Sequence, residues 1–203
     1  VHIASDRNRV DFRLPVQLVI DDVEGGTPWI AGTIASGGIR VGEEVCALPS
    51  GEVARVRSLS VGGRLVTEAQ VPLSVSLQLD RDAGVSRGSV IARTGNRPEC
   101  GTGIDATVCW MARERLQAGR ELLLHQGAVR TRCTVERVRY RIDIDTLHRD
   151  DVVGVLELND IGRVSLRASE TLAFDSYRRN RTTGSFVLVD ERTGETAGAG
   201  MIR

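Results

Sequence analysis

The feature that most constrains this chain is the period of its hydrophobic pattern, which is two almost everywhere and hardly ever 3.6. Short apolar runs alternate with polar side chains and are punctuated by glycine, which supplies 22 of the 203 residues. Such a pattern predicts an all-β protein with few, short helices. Strands are predicted over 12–20, 29–35, 44–48, 52–61, 71–79 and 89–92, with turns at 24–26, 37–38, 49–51 and 62–63. A second series is predicted over 103–111, 121–124, 129–144, 151–158, 162–169, 184–190 and 195–202. Open sheets of this size would present unpaired edges to aggregation, and closure removes them. The expected architecture is therefore two consecutive antiparallel β-barrels of about six strands each. The polar stretch Thr94-Gly95-Asn96-Arg97-Pro98-Glu99 divides them, so the expected organisation is a barrel over 1–94, a linker over 95–101 and a barrel over 102–203.

Composition narrows the chemistry. The chain carries 27 acidic and 27 basic residues, and every basic one is arginine. Without lysine there is no Walker A phosphate loop and no Schiff-base chemistry. A net charge of zero provides no global field towards nucleic acid or an anionic membrane, so polyanion binding would need a local patch. No run reaches the roughly 18 apolar residues of a membrane helix. Cys46, Cys100, Cys109 and Cys133 are widely spaced and form no C-x-x-C pair, so they read as reduced thiols of a cytoplasmic protein, with a Cys100–Cys109 disulfide as the alternative. Val1 in place of an initiating Met is what a fragment of a longer protein would show.

Catalytic constellations are absent from the pattern. His2, His125 and His148 show neither H-x-E nor H-E-x-x-H spacing and make no zinc set with the isolated cysteines, and no Gly-Asp-Ser-Gly-like turn accompanies them for a serine protease. Asp143 and Asp145 stand two apart and so share a strand face, but Arg137, Arg139 and Arg141 continue that face, with Val138, Tyr140 and Ile142 expected inward. A second basic cluster is Arg178-Arg179-Asn180-Arg181. Arginine forks suit phosphate and carboxylate, so the rows read as RNA-backbone contacts, as a dock for an acidic protein, or as solvent-exposed charge. The glycine-rich stretch 194–200 precedes no helix and is not read as a phosphate loop.

Particular residues then point to a family. Asp11-Phe12-Arg13-Leu14-Pro15-Val16-Gln17, Ala31-Gly32-Thr33-Ile34-Ala35-Ser36-Gly37 and Ile39-Arg40-Val41-Gly42-Glu43-Glu44-Val45 resemble the second domain of translation-factor-type GTPases. With Leu48-Pro49-Ser50-Gly51 they resemble one branch, the GTPase (large) subunit of bacterial sulfate adenylyltransferase, including its form fused to adenylylsulfate kinase. Tyr140-Arg141-Ile142-Asp143 with Thr146-Leu147, Leu158-Asn159-Asp160-Ile161-Gly162-Arg163-Val164, Asn180-Arg181-Thr182-Thr183-Gly184-Ser185-Phe186 and Gly198-Ala199-Gly200-Met201-Ile202 are similar to its third domain in order and spacing. The stretch 20–28 departs from the pattern, and G-x-x-x-x-G-K-S/T, D-x-x-G and N-K-x-D are missing.

The resemblance implies barrels like domains 2 and 3 of elongation factor Tu. It also implies a parent whose GTPase domain holds GTP and Mg, and a separate small catalytic subunit that joins ATP and sulfate into adenylyl sulfate. This chain would couple the two, with no catalytic, cofactor-binding or metal residue of its own. Arg139, Arg141 and Arg181 are the expected protein-interface residues, against the GTPase domain or the small subunit. The alternatives are tRNA-binding barrels of a translation factor and a stand-alone two-barrel interaction module.

Overall fold

The computed structural model describes residues 10–22, 26–143, 146, 148–151 and 154–203. His2, Asp145, Leu147 and the Glu24-Gly25 half of the first expected turn lie outside them. The chain divides into two compact units between Glu99 and Cys100.

In the first unit the strands are β1 (Arg13–Ile20), β2 (Trp29–Thr33), β3 (Gly38–Arg40), β4 (Glu44–Leu48), β5 (Val53–Val61), β6 (Arg64–Leu65), β7 (Glu68–Gln70), β8 (Ser74–Leu79) and β9 (Val90–Arg93). Six of them run in the order β4-β9-β1-β2-β8-β5, and β5 returns to pair with β4, so the sheet closes. The antiparallel pair β3–β7, joined through β4, β5 and β6 in sequence, stands beside it. Alternation along β1, β2 and β8 sends Leu14, Val16, Ile30, Val75 and Leu77 inward, where they join Phe12, Ile39 and Ile91 at no more than 4% exposure. Burying each such side chain contributes about 1.5–3 kcal/mol.

The second unit comprises β10 (Glu99–Trp110), β11 (Leu116–Gln117), β12 (Glu121–Gln126), β13 (Val129–Ile142), β14 (Arg149–Asp150), β15 (Val155–Leu156), β16 (Ile161–Phe174), β17 (Ser185–Val189) and β18 (Thr196–Ile202). Its barrel order is β12-β17-β18-β10-β16-β13, closed by β13 against β12. Trp110, Leu116, Leu124, Leu156, Leu166 and Leu188 are fully buried at its centre. Two antiparallel barrels of six strands are thus present.

Element boundaries differ from expectation for local reasons. The strand predicted from residue 71 begins at Ser74, because Pro72 has no N–H to donate. Among the described residues of the strand predicted over 151–158, only Val155–Leu156 are extended and paired. β3, β6, β7, β11 and β14 have two or three residues each, too few for alternation to register. β10 begins at Glu99, so the expected linker over 95–101 already carries the start of a strand.

Family-like motifs are explained by packing at two corners. Gly37 has φ of +67°, and a Cβ there would meet Phe12 Cα at 2.7 Å, so position 37 requires glycine where the entering chain crosses. Ser36 Oγ donates to Asp11 O, and the fully buried Arg13 donates to Phe12 O at 2.9 Å and Asn96 O at 2.8 Å. One guanidinium therefore ties the entry of the first barrel to its exit. In the second barrel, buried Asn180 accepts from the N–H of Thr182 at 2.9 Å and of Thr183 at 3.2 Å, and Thr183 Oγ1 donates to buried Asp175 at 2.7 Å. A Cβ on Gly184 would lie 2.5 Å from Tyr177 N and 2.6 Å from Asn180 O.

Candidate protein interface

The three arginines singled out from sequence lie at different places. Arg139 and Arg141 are on β13, whereas Arg181 is in the turn between β16 and β17, its guanidinium 5.8 Å from the Tyr177 ring. The expected single row of Arg137, Arg139 and Arg141 does not form. β13 pairs β16 with register shifts between Val135 and Arg137 and again between Val138 and Tyr140. Each such β-bulge adds a residue on one strand and reverses the alternation beyond it.

The consequences follow from which residues stand opposite. Arg137 faces Ser165 and Tyr140 faces Arg163, which puts both on the outer face. Arg139 is the extra residue of the second bulge, and its Nε donates to Ser165 Oγ at 2.8 Å, again outside. Arg141 stands opposite Gly162, on the face that carries Val164 and Leu166 inward, so it emerges at the barrel's end. There it lies 3.3 Å from Asp150 and 3.7 Å from Asp160. Gly162 is required: a Cβ would come within 2.5 Å of Leu156 Cδ2 and 2.7 Å of Tyr140 O. Tyr140, expected inward, is half-buried under Arg149 at 4.9 Å.

Charge on the outer face is concentrated around Asp105. Arg163 forks onto it at 2.6 and 2.7 Å, with Arg139 3.7 Å away. Asp143 lies in a turn, its N–H donating to His148 O at 2.9 Å and its carboxylate accepting from Thr146 N at 2.8 Å, while Asp145 lies outside the described residues. Residues that the sequence reading missed complete this face: Arg130, Arg132 and Arg167 escaped because only the register brings them beside Arg137 and Arg163.

Other reactive groups have structural surroundings. Burial pushes the Cys133 thiol up to about 12, and it also raises Cys46, against the opposing pull of Arg97 and Arg13. Both stay protonated and unreactive near neutrality. Cys100 and Cys109 stand nine residues apart on β10. That spacing is a contour of roughly 30 Å, which rules out the alternative disulfide. His125 loses basicity through burial first and Arg130 second, and its Nε2 is buried with no hydrogen-bond partner among the described residues. In the first barrel a cleft of about 520 Å³ is lined by Arg40, Glu43, Glu68, Gln70, Leu73 and Arg93. Its charges pair internally, Arg40 with Glu68 at 2.8 Å and Arg93 with Glu43 at 3.0 Å. No group of three or more metal-binding side chains occurs among the described residues, and no helix there is long and apolar enough to cross a membrane.

Comparison with known proteins supplies the kinship. Residues 103–203 match the family described as GTP-eEF1A C-terminal domain-like. The whole chain is 44% identical over 206 residues to the bifunctional enzyme CysN/CysC of Mycobacterium tuberculosis, of which it spans 34%. It is 37% identical over 205 residues to sulfate adenylyltransferase subunit 1 of Bacteroides fragilis, of which it spans 42%. Among solved structures, sup35 complexed with GDP superposes with a TM-score of 0.86 at 16% identity, covering 97% of this chain and 48% of that one. Translation elongation factor SelB of Methanococcus maripaludis does so with 0.78 at 18%, covering 100% and 44%. At those identities the superpositions establish the fold alone. Residues 103–203 thus resemble the GTP-eEF1A C-terminal domain-like family, and the chain as a whole is a homologue of part of sulfate adenylyltransferase subunit 1 and of CysN/CysC.

Proposed function

We propose that this chain is the barrel pair of the GTPase subunit of a sulfate adenylyltransferase, and that it couples GTP hydrolysis elsewhere in the parent to the synthesis of adenylyl sulfate and pyrophosphate from ATP and sulfate. The observation that carries this reading is similarity along the full chain to proteins bearing that name, at 33–44% identity. The translation-factor alternative rests on the GTP-eEF1A C-terminal domain-like match over residues 103–203 and on structural likeness at 16–18% identity, neither of which spans the chain at the identity of the sulfate adenylyltransferase relatives.

In this reading GTP and Mg²⁺ sit in the part of the parent outside this chain, because a chain without lysine cannot build the usual phosphate loop. The partners are that GTPase domain and the small catalytic subunit, and the site of action is the cytoplasm. Arg139, Arg141 and Arg181 belong to the coupling surface, and no residue here breaks or makes a bond. Interface arginines act through forked carboxylate contacts, and truncating one member of a buried charge pair costs about 2–5 kcal/mol of affinity.

The test is calorimetric titration of this chain with GTP–Mg²⁺ and with ATP, alongside assembly of the full-length subunit with the small subunit. No heat of nucleotide binding and a complex that forms adenylyl sulfate are expected. A micromolar nucleotide affinity, about 8 kcal/mol, would mean a pocket this account lacks.

A further inference from the structure

Six arginines, Arg130, Arg132, Arg137, Arg139, Arg163 and Arg167, share the outer face of β13 and β16 in a protein whose net charge is zero. Four carboxylates answer them, one of them Glu121, which lies opposite Thr134 and acts on Arg132 through space. Glu191 meets Arg132 at 2.6 Å, Glu136 meets Arg167 at 2.5 Å, and Asp105 serves Arg163 and Arg139. Arg130 and Arg137 are exposed, and their side chains make no hydrogen bond or ion pair among the described residues. The face therefore carries an excess of positive charge held on rigid strands, with Ser165 and Thr134 hydroxyls between the guanidiniums.

We propose that this face is the electrostatic landing surface for a separate acidic protein, the small catalytic subunit, a reading that rests on the function proposed above. Two features select a protein over a nucleic acid. Asp105, Glu136 and Glu191 interleave with the arginines, and fixed carboxylates repel a phosphodiester backbone while matching a protein surface of mixed charge. The one ring on the face, Tyr140, is covered by Arg149 at 4.9 Å and offers no stacking platform for a base. Excess charge is also of more use to a separate subunit than to a domain of the same chain. A tethered domain is held at high effective concentration by its linker, whereas a free subunit gains from charge steering, which raises association rates about 10–10³-fold.

The experiment measures association of the full-length GTPase subunit with the small subunit by stopped flow from low to high salt. Arg130→Glu/Arg137→Glu is compared with Arg57→Glu/Arg64→Glu, an equal charge change on the first barrel at residues that also make no side-chain pair among the described residues. The expected result is an on-rate about 10-fold or more lower for the β13 variant at low salt, with the gap closing towards 1 M, where the Debye length is about 3 Å, and with the control unchanged. Arg130→Lys/Arg137→Lys should keep the parent rate. Should the charge-reversed chain not fold, the unmodified pair still decides: a salt-independent on-rate overturns the proposal. Equal on-rates for both charge-reversed variants overturn it while leaving the proposed function standing, whereas a parent that never binds the small subunit overturns both. Loss of binding to a labelled RNA duplex with an unchanged subunit on-rate assigns the face to RNA instead.

Discussion

The two barrels share a strand plan and differ in where they place charge. The first takes a charge inside: Arg13 is fully buried and spends its donors on Phe12 and Asn96, so its electrostatics go into fastening the chain at entry and exit. Of its other cations, Arg40 closes on Glu68 and Arg93 on Glu43, whereas Arg57 and Arg64 make no side-chain pair among the described residues. In the second barrel the buried polar corner is Asp175, Asn180 and Thr183, and the cations go outside onto β13 and β16. One plan can thus serve as an anchored joint or as a presenting surface, according to which face of the pleat the arginines occupy.

The comparison breaks most sharply if the cores are not separate. Trp110→Ala should cost about 3–5 kcal/mol in the second barrel and Phe12→Ala a similar amount in the first. Scanning calorimetry should show each substitution lowering one of two transitions; a common shift would make the barrels one cooperative unit. A smaller effect tests the fastening. Arg13→Met leaves the Asn96 carbonyl without its donor, a loss of about 1–3 kcal/mol, and should speed proteolytic cleavage within 95–101, the proposed inter-barrel linker. Cleavage first inside either barrel would contradict that assignment.

A still smaller effect concerns His125. Its folded-state pKa lies below the ordinary 6.5, so the unfolded chain binds more protons as pH falls. The stability it contributes is complete above pH 6.5 and is lost as pH drops from there through the folded pKa. The urea midpoint of the second barrel should fall between pH 7.5 and 5, and less so in His125→Gln. The smallest effect sharpens the contrast between fold and surface: Arg130→Ala and Arg57→Ala should each shift stability by about 0.5 kcal/mol or less. A larger loss for Arg130 would make the outer face structural.

Much of the fold was legible because alternation reports directly on which residues face a barrel interior, as for Ile104, Ala106, Val108 and Trp110 on β10. The site was less so. Nothing local marks the bulges at Glu136 and Arg139, which depend on how β13 fits β16, and without them Arg141 was placed on the wrong face. Arg167 joins Arg130 and Arg132 only through pairing between strands distant in sequence. The Asn180-to-Phe186 signature is recognisable as a motif, yet its buried residues Asn180, Thr183 and Gly184 build a corner, leaving Arg181 and Thr182 exposed.

The central claim is that these barrels couple but do not catalyse. Its most direct test is GTP hydrolysis by the full-length subunit carrying Arg139→Ala, Arg141→Ala and Arg181→Ala together, measured with and without the small subunit. The account predicts an unchanged intrinsic rate and a small subunit that stimulates the parent but not the triple variant. Full stimulation in the triple variant, or a fall in the intrinsic rate itself, would contradict it.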